Sequence, residues 1–121
     1  MNILVVDDSK AMRLIVKKTL RAAGYGDHDI DEAEDGALAL EKIKDATPDV
    51  VLSDWNMPNM TGMELLEALN TEGIRTKFGF VTTESTAEMR HRAISAGAQF
   101  MIAKPFTPES FQSALEPVIG L

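Results

Sequence analysis

Runs of consecutive apolar residues alternate along this chain with stretches in which apolar positions return every three or four residues. Ile3-Leu4-Val5-Val6, Val50-Val51-Leu52, Lys77-Phe78-Gly79-Phe80-Val81 and Phe100 to Ala103 are of the first kind. They have the length and composition of strands covered on both faces. Asp29 to Ala33 is weaker, with only Ile30 and Ala33 apolar. Its acids suit a sheet edge, where charge discourages pairing with another chain. Helical spacing joins Met12, Ile15, Val16, Thr19, Leu20 and Ala23; then Leu38, Leu40 and Ile43; then Leu65, Leu66 and Leu69; then Met89, Ala93 and Ile94; and finally Phe111, Ala114, Leu115, Val118 and Ile119.

Local signals punctuate these segments. Ser9 caps the first helix and Gly24 and Gly26 end it. Asp35 begins the second, which stops before Thr47-Pro48. Thr61-Gly62-Met63-Glu64 and Ser85-Thr86-Ala87-Glu88 fit the Ser/Thr-x-x-Glu capping box, and Gly73 and Gly97 end the helices they open. Thr107-Pro108 places a cap before a proline in the first helical position, while Pro117 is expected to kink the last helix or end it early. Five strand–helix pairs with short connections predict one α/β domain over residues 1–121, a parallel sheet with helices on both faces. Right-handed crossovers then bring all the strand ends to one edge of that sheet.

That edge is where open parallel sheets bind ligands, and polar residues stand at the predicted strand ends: Asp7 and Asp8, Asp54, Thr82 and Lys104. Asp54 closes the central strand, and the chain must turn soon after it, at Met57-Pro58. An aspartate before a loop also serves as a turn cap, so Asp54 alone decides nothing. The group does. Two like charges about 4 Å apart cost roughly 1 kcal/mol in water and about 4 kcal/mol at an effective dielectric of 20. A hard divalent cation with oxygen ligands would offset that repulsion, and Mg²⁺ characteristically takes one or two carboxylates and keeps room for a phosphate oxygen. Lys104 adds a positive charge and Thr82 a hydroxyl. A carboxylate nucleophile, a metal, a lysine and a hydroxyl make a phosphoryl-transfer site with Asp54 as acceptor.

With 121 residues, 45% hydrophobic and 26% charged, the chain has enough apolar content for one core. No stretch approaches the length of a membrane span, and Met1-Asn2 leads directly into a strand, so a soluble cytoplasmic protein without a membrane role is expected. A net charge of −7 argues against nucleic acid as the main partner, and the absence of cysteine excludes disulfides and thiolate metal sites.

Val-Asp-Asp-Ser at 6 to 9, Glu-Asp-Gly at 34 to 36, Ser-Asp-Trp-Asn-Met-Pro at 53 to 58 and Lys-Pro-Phe at 104 to 106 occur in order and on the right elements. By these motifs the chain resembles a bacterial two-component response-regulator receiver domain, in particular the free-standing chemotaxis members of that family, from about Asn2 to Ile119. The resemblance implies a (βα)5 flavodoxin-like three-layer sandwich with a five-stranded parallel sheet of order 2-1-3-4-5. It implies phosphorylation of Asp54 by a histidine kinase, and Mg²⁺ held by Asp8, Asp54 and the Asn56 carbonyl, with Asp7 assisting through water. Lys104 would hold a phosphoryl oxygen. Thr82 would report phosphorylation to the surface of the fourth helix, fifth strand and fifth helix. Asn56 and Glu84 would tune self-dephosphorylation, and the Lys104–Pro105 bond would be cis.

By the same likeness the protein catalyses only its own phosphorylation and dephosphorylation. Its candidate partners are the kinase, a downstream protein target such as a flagellar motor switch component, and a phosphatase. Since the chain ends after the fifth helix, its output is expected to be a binding event.

Three positions depart from the family pattern. Met101 stands where an aromatic residue is usual, and Phe100 beside it should face the other way, because side chains alternate along a strand. Thr61 replaces a common Asp with little consequence, since both cap helices. Thr83 is bulkier than the usual residue and should restrict access to the phosphoryl group. The other methionines are expected to fill the core, His28 and His91 to lie on the surface, and Arg90-His91-Arg92 to form a solvated helix face. A flavin electron carrier of the same fold is disfavoured because Asp7 and Asp8 would repel its phosphate. A scaffold that binds partners without phosphorylation remains the alternative.

Overall fold

Every strand of the sheet ends in the same direction, so the polar residues that follow the strands meet at one edge. The computed structural model describes residues 1–83 and 86–120. Strands β1 (Asn2–Val6), β2 (Asp29–Ala33), β3 (Val50–Ser53), β4 (Lys77–Thr82) and β5 (Phe100–Ala103) alternate with helices α1 (Lys10–Leu20), α2 (Gly36–Asp45), α3 (Gly62–Thr71), α4 (Ala87–Ser95) and α5 (Pro108–Ile119). All pairings are parallel, and the order is β2-β1-β3-β4-β5. The fold is the flavodoxin-like sandwich that the motifs implied.

The period-two alternation of each strand divides the core in two. Leu4, Val6, Val51, Phe78 and Phe80 face one side, where Ala39 and Ile43 of α2, Leu65, Leu66 and Leu69 of α3 and Ala93 of α4 cover them. Ile3, Val5, Val50, Leu52, Val81 and Ile102 face the other, under Val16 and Leu20 of α1 and Phe111 and Leu115 of α5. As expected, Phe100 and Met101 part company: Phe100 belongs to the second cluster, and Met101, half-buried, packs on the first. Phe100 sits directly opposite Gly79 in register. A Cβ at Gly79 would come within 2.3 Å of three atoms of the Phe100 ring, so only glycine admits that ring.

Several helix expectations need correction. Ile15 and Leu38 lie on exposed positions, as does Leu14. Val16 and Leu20 with Ala23, and Ala39 with Ile43, suffice to seal their faces, because a helix between sheet and solvent buries only one stripe. The first helix does end where Gly24 was expected to end it: past Leu20 the chain continues through a wider turn, Arg21–Tyr25, in which Gly24 takes a non-helical φ of 104°. Helix α4 is capped by Thr86, whose side chain accepts from the Met89 N–H; Glu84 and Ser85 lie outside the described residues. Pro117 neither ends α5 early nor prevents Val118 and Ile119 from packing on the core. It sits in the last turn on the exposed side, where water can satisfy the carbonyl it leaves without a partner. His28 is half-buried, its ring 5.8 Å from that of Tyr25.

Tyr25 is fully buried, and its hydroxyl has no hydrogen-bond partner among the described residues. Burial, with Glu116 adding repulsion, holds its phenol above the ordinary pKa. An unpaired buried polar group is costly, so Tyr25→Phe should raise unfolding free energy by about 1 kcal/mol. Urea denaturation checks this; a variant less stable than the parent would show that the hydroxyl is satisfied in solution.

Candidate functional site

Ser53 and Asp54 lie where β3 gives way to the loop leading into α3. The backbone N–H of Asp54 donates to the Val6 carbonyl at 2.9 Å, and that of Asp7 to the Ala33 carbonyl at 3.1 Å, so the ladder holds both residues as β1 and β3 end. One carboxylate oxygen from each of Asp7, Asp8 and Asp54 falls within 4.8 Å of the others. Asp7 is buried, Asp54 half-buried and Asp8 exposed, which leaves the cluster open to solvent on one side. Three hard oxygen donors with an open face are a chemically fitting set for a divalent cation that keeps part of its water.

Lys104 follows β5 and answers part of this negative charge. Its Nζ lies 2.9 Å from Asp7 Oδ2 and 3.4 Å from Asp54 Oδ2. The lysine N–H of the backbone donates to the Thr82 carbonyl at 3.0 Å, and the Lys104–Pro105 bond that follows is cis, as the likeness implied. The Asp7 carboxylate also accepts from the Ser9 N–H at 2.9 Å, while Asp54 Oδ1 accepts from the Trp55 N–H at 2.7 Å. Each of the two buried or half-buried acids thus keeps one oxygen on a backbone donor and turns the other toward Lys104.

The remaining predicted residues are grouped around this cluster less uniformly. Thr82 is buried at the end of β4, on the same face as Phe80, and opposite Ala103 in register. Thr83 and Asn56 are exposed. Met101 lies opposite Phe80 on the neighbouring strand, so Thr82 and Met101 share a sheet face. Glu84 falls outside the described residues.

Comparison with known proteins decides the family. The sequence model of the response regulator receiver domain matches residues 3–116. The chain belongs to the response regulator receiver family. It is 41% identical to chemotaxis protein CheY1 of Helicobacter pylori over 99% of this chain and 98% of that protein. It is 40% identical to the CheY homolog of Campylobacter jejuni over 99% and 93%. The solved structure of Vibrio cholerae CheY4 superposes with a TM-score of 0.85 at 37% identity, covering 98% of both chains. The protein is therefore a CheY-like signalling receiver whose acidic cluster is suited to a metal ion. No helix among the described residues is long and apolar enough to cross a membrane.

This receiver also contains site-supporting contacts that motif reading did not specify. Arg13 donates to the Asp7 carbonyl at 2.6 Å and to Glu32 at 2.9 Å. Its place one turn into α1 from the capping Ser9 was the available signal. Gly62 packs so closely on the Asp54 carbonyl that a Cβ there would lie 2.1 Å from it, and its N–H donates to the Trp55 carbonyl at 2.8 Å. Asp35 is a buried carboxylate that caps α2 through the Leu38 N–H at 2.8 Å and accepts from the Asn59 side chain at 2.9 Å. Asn59 takes a φ of 68°, a left-handed conformation that asparagine tolerates better than most residues. The pair ties the loop after β2 to the loop after β3.

These donors, the Leu38 N–H first and Asn59 next, hold the Asp35 carboxyl below its ordinary pKa. A group depressed in the folded state stabilises it above the unfolded pKa, about 3.9 for Asp, and loses that contribution as pH falls through the folded value. Asp35→Asn should therefore cost roughly 1–2 kcal/mol at pH 7, and the difference from the parent should shrink below about pH 4. Denaturation curves at several pH values test this; a gap that stays constant with pH would rule out the carboxylate as its source.

Proposed function

We propose that this receiver takes a phosphoryl group on Asp54 and uses it to change its affinity for a protein partner. The observation that supports this reading is the meeting of Asp7, Asp8 and Asp54 within 4.8 Å, with Lys104 reaching two of them. In the transfer, the Asp54 carboxylate oxygen attacks the phosphorus of a kinase phosphohistidine. A P–O bond forms, the P–N bond breaks, and the imidazole leaves and takes up a proton. Mg²⁺, when bound by Asp8, Asp54 and the Asn56 carbonyl with Asp7 assisting through water, would neutralise charge on the transferring phosphoryl oxygens. Lys104 would exchange its contact with Asp54 for one with a phosphoryl oxygen. Hydrolysis reverses the state: water attacks phosphorus and the Asp54 carboxylate leaves as inorganic phosphate forms. Asn56 and Glu84 tune that step, and Thr83 crowds the water's approach.

The chain 1–121 then works as one receiver unit in the cytoplasm. Its partners are a histidine kinase, a downstream target of the kind met in chemotaxis, such as a flagellar motor switch component, and a phosphatase. The likeness to chemotaxis CheY proteins along nearly the full chain supports that pathway.

Intact-mass measurement with acetyl phosphate and Mg²⁺ should show addition of one phosphoryl group that fades within minutes once the donor is removed. Asp54→Asn should show none, and EDTA should suppress uptake in the parent. Uptake by Asp54→Asn at a comparable rate would place the acceptor elsewhere. No uptake by the parent would favour a scaffold that acts without phosphorylation.

Thr82 and Met101 carry the signal in this reading. A shift of the Thr82 hydroxyl toward a phosphoryl oxygen vacates space that the flexible Met101 thioether can enter. Thr82→Ala should remove most of the phosphorylation-dependent change in partner affinity, on the order of 1–3 kcal/mol, whereas the volume-conserving Met101→Leu should keep it. Binding isotherms of both variants, phosphorylated and not, decide this; the opposite ranking would refute the route through Thr82.

A further inference from the structure

Trp55, the chain's one tryptophan, follows Asp54 and touches it through the backbone, its N–H donating to Asp54 Oδ1 at 2.7 Å. Its carbonyl accepts from Gly62 at the start of α3. The indole is buried, with its centroid 4.7 Å from that of Phe80. Arg92 of α4 lies against the same ring, its guanidinium carbon 5.9 Å from the centroid. Arg92 forms no ion pair among the described residues. The sequence pattern of Arg90, His91 and Arg92 suggested a solvated face, and all three are exposed. From that exposed position Arg92 also lays its cation against an aromatic surface, where the negative face of the ring attracts it.

The contact bridges two parts of the molecule that the sheet does not join. Helix α4 covers the first core cluster chiefly through Ala93 and Met89, and at its C-terminal end the Ala96 carbonyl accepts from the Asn70 side chain at 2.7 Å. Arg92 adds a second directional contact, nearer the acid cluster's neighbour Trp55. Its ring partner is the residue whose amide orients the Asp54 carboxylate.

We propose that Arg92 is a positioning residue. Its guanidinium, held over the Trp55 ring, keeps the Trp55 amide on Asp54 Oδ1 and links α4 to that carboxylate by a route separate from Thr82 and Met101. The first half stands on the geometry alone; the second, that the link affects phosphoryl uptake, rests on the function proposed above.

Two variants test it. Arg92→Gln keeps length and polarity but removes the cation, and Arg92→Lys keeps the cation. Backbone hydrogen exchange followed by NMR compares the Trp55 amide with that of Leu52 in the interior of β3, which corrects for any change in global stability. In Arg92→Gln the Trp55-to-Leu52 exchange ratio should rise roughly two- to fivefold, the factor to which an exposed cation–π contact amounts, and Arg92→Lys should restore most of it. Acrylamide quenching of the single tryptophan should rise in the same order. An unchanged ratio in Arg92→Gln, or an equal change in both variants, overturns the positioning role.

Phosphoryl uptake from acetyl phosphate is measured by intact mass on the same proteins. Uptake slowed by a similar factor in Arg92→Gln and recovered in Arg92→Lys upholds the link to Asp54. Unaltered uptake beside a raised exchange ratio overturns that link alone. No uptake by the parent overturns the proposed function and the link with it, while the exchange ratio still decides the positioning role.

Discussion

Three carboxylates at one edge of a sheet repel one another, and the fold must hold them there. The parallel ladder does so by making β1 and β3 neighbours, so that Asp7 and Asp54 leave the sheet side by side. Backbone donors then take one oxygen from each, Ser9 from Asp7 and Trp55 from Asp54, and Lys104 arrives from β5 to neutralise part of the remainder. Hydrogen bonds to a charged acceptor are stronger than neutral ones, which is why an acid cluster of this density can persist in the folded state. The residual negative charge lies on the open side, where Asp8 is exposed.

The loops around the cluster are fixed by comparably specific contacts. Asp35 and Asn59 fasten one loop to the next, Arg13 holds the Asp7 carbonyl, and Gly62 lets α3 begin against the Asp54 carbonyl. None of these side chains needs to react. Together they limit where Asp54 can point, so the geometry of the cluster is set in advance by the fold.

Much of this was legible in the residues. Strands and helix starts announce themselves through apolar runs and caps, and Ser9, Asp35, Thr61 and Thr107 all cap as read. The converging acids and Lys104 were visible too, because parallel topology alone places strand ends together. What spacing does not encode is which apolar residues stay in water: Ile15 and Leu38 obey helical periodicity and yet lie outside the stripe that meets the sheet. Periodicity likewise gives no sign that Arg92 meets a ring on another element, since that contact depends on how α4 is rotated over the core. Pro117 was misjudged because a proline's penalty depends on whether the carbonyl it strands faces water.

Phe100 laid into the gap at Gly79 also has a mechanical meaning. It clamps β4 to β5 three residues before Thr82, on the side of the sheet away from Met101. Beyond that clamp β4 runs out toward the acid edge, where Thr82 pairs with Ala103 at the end of β5. The ring that locks β4 to β5 thus lies wholly on the α1–α5 side of the sheet, while Phe80, Thr82 and Met101 share the opposite side, toward α4.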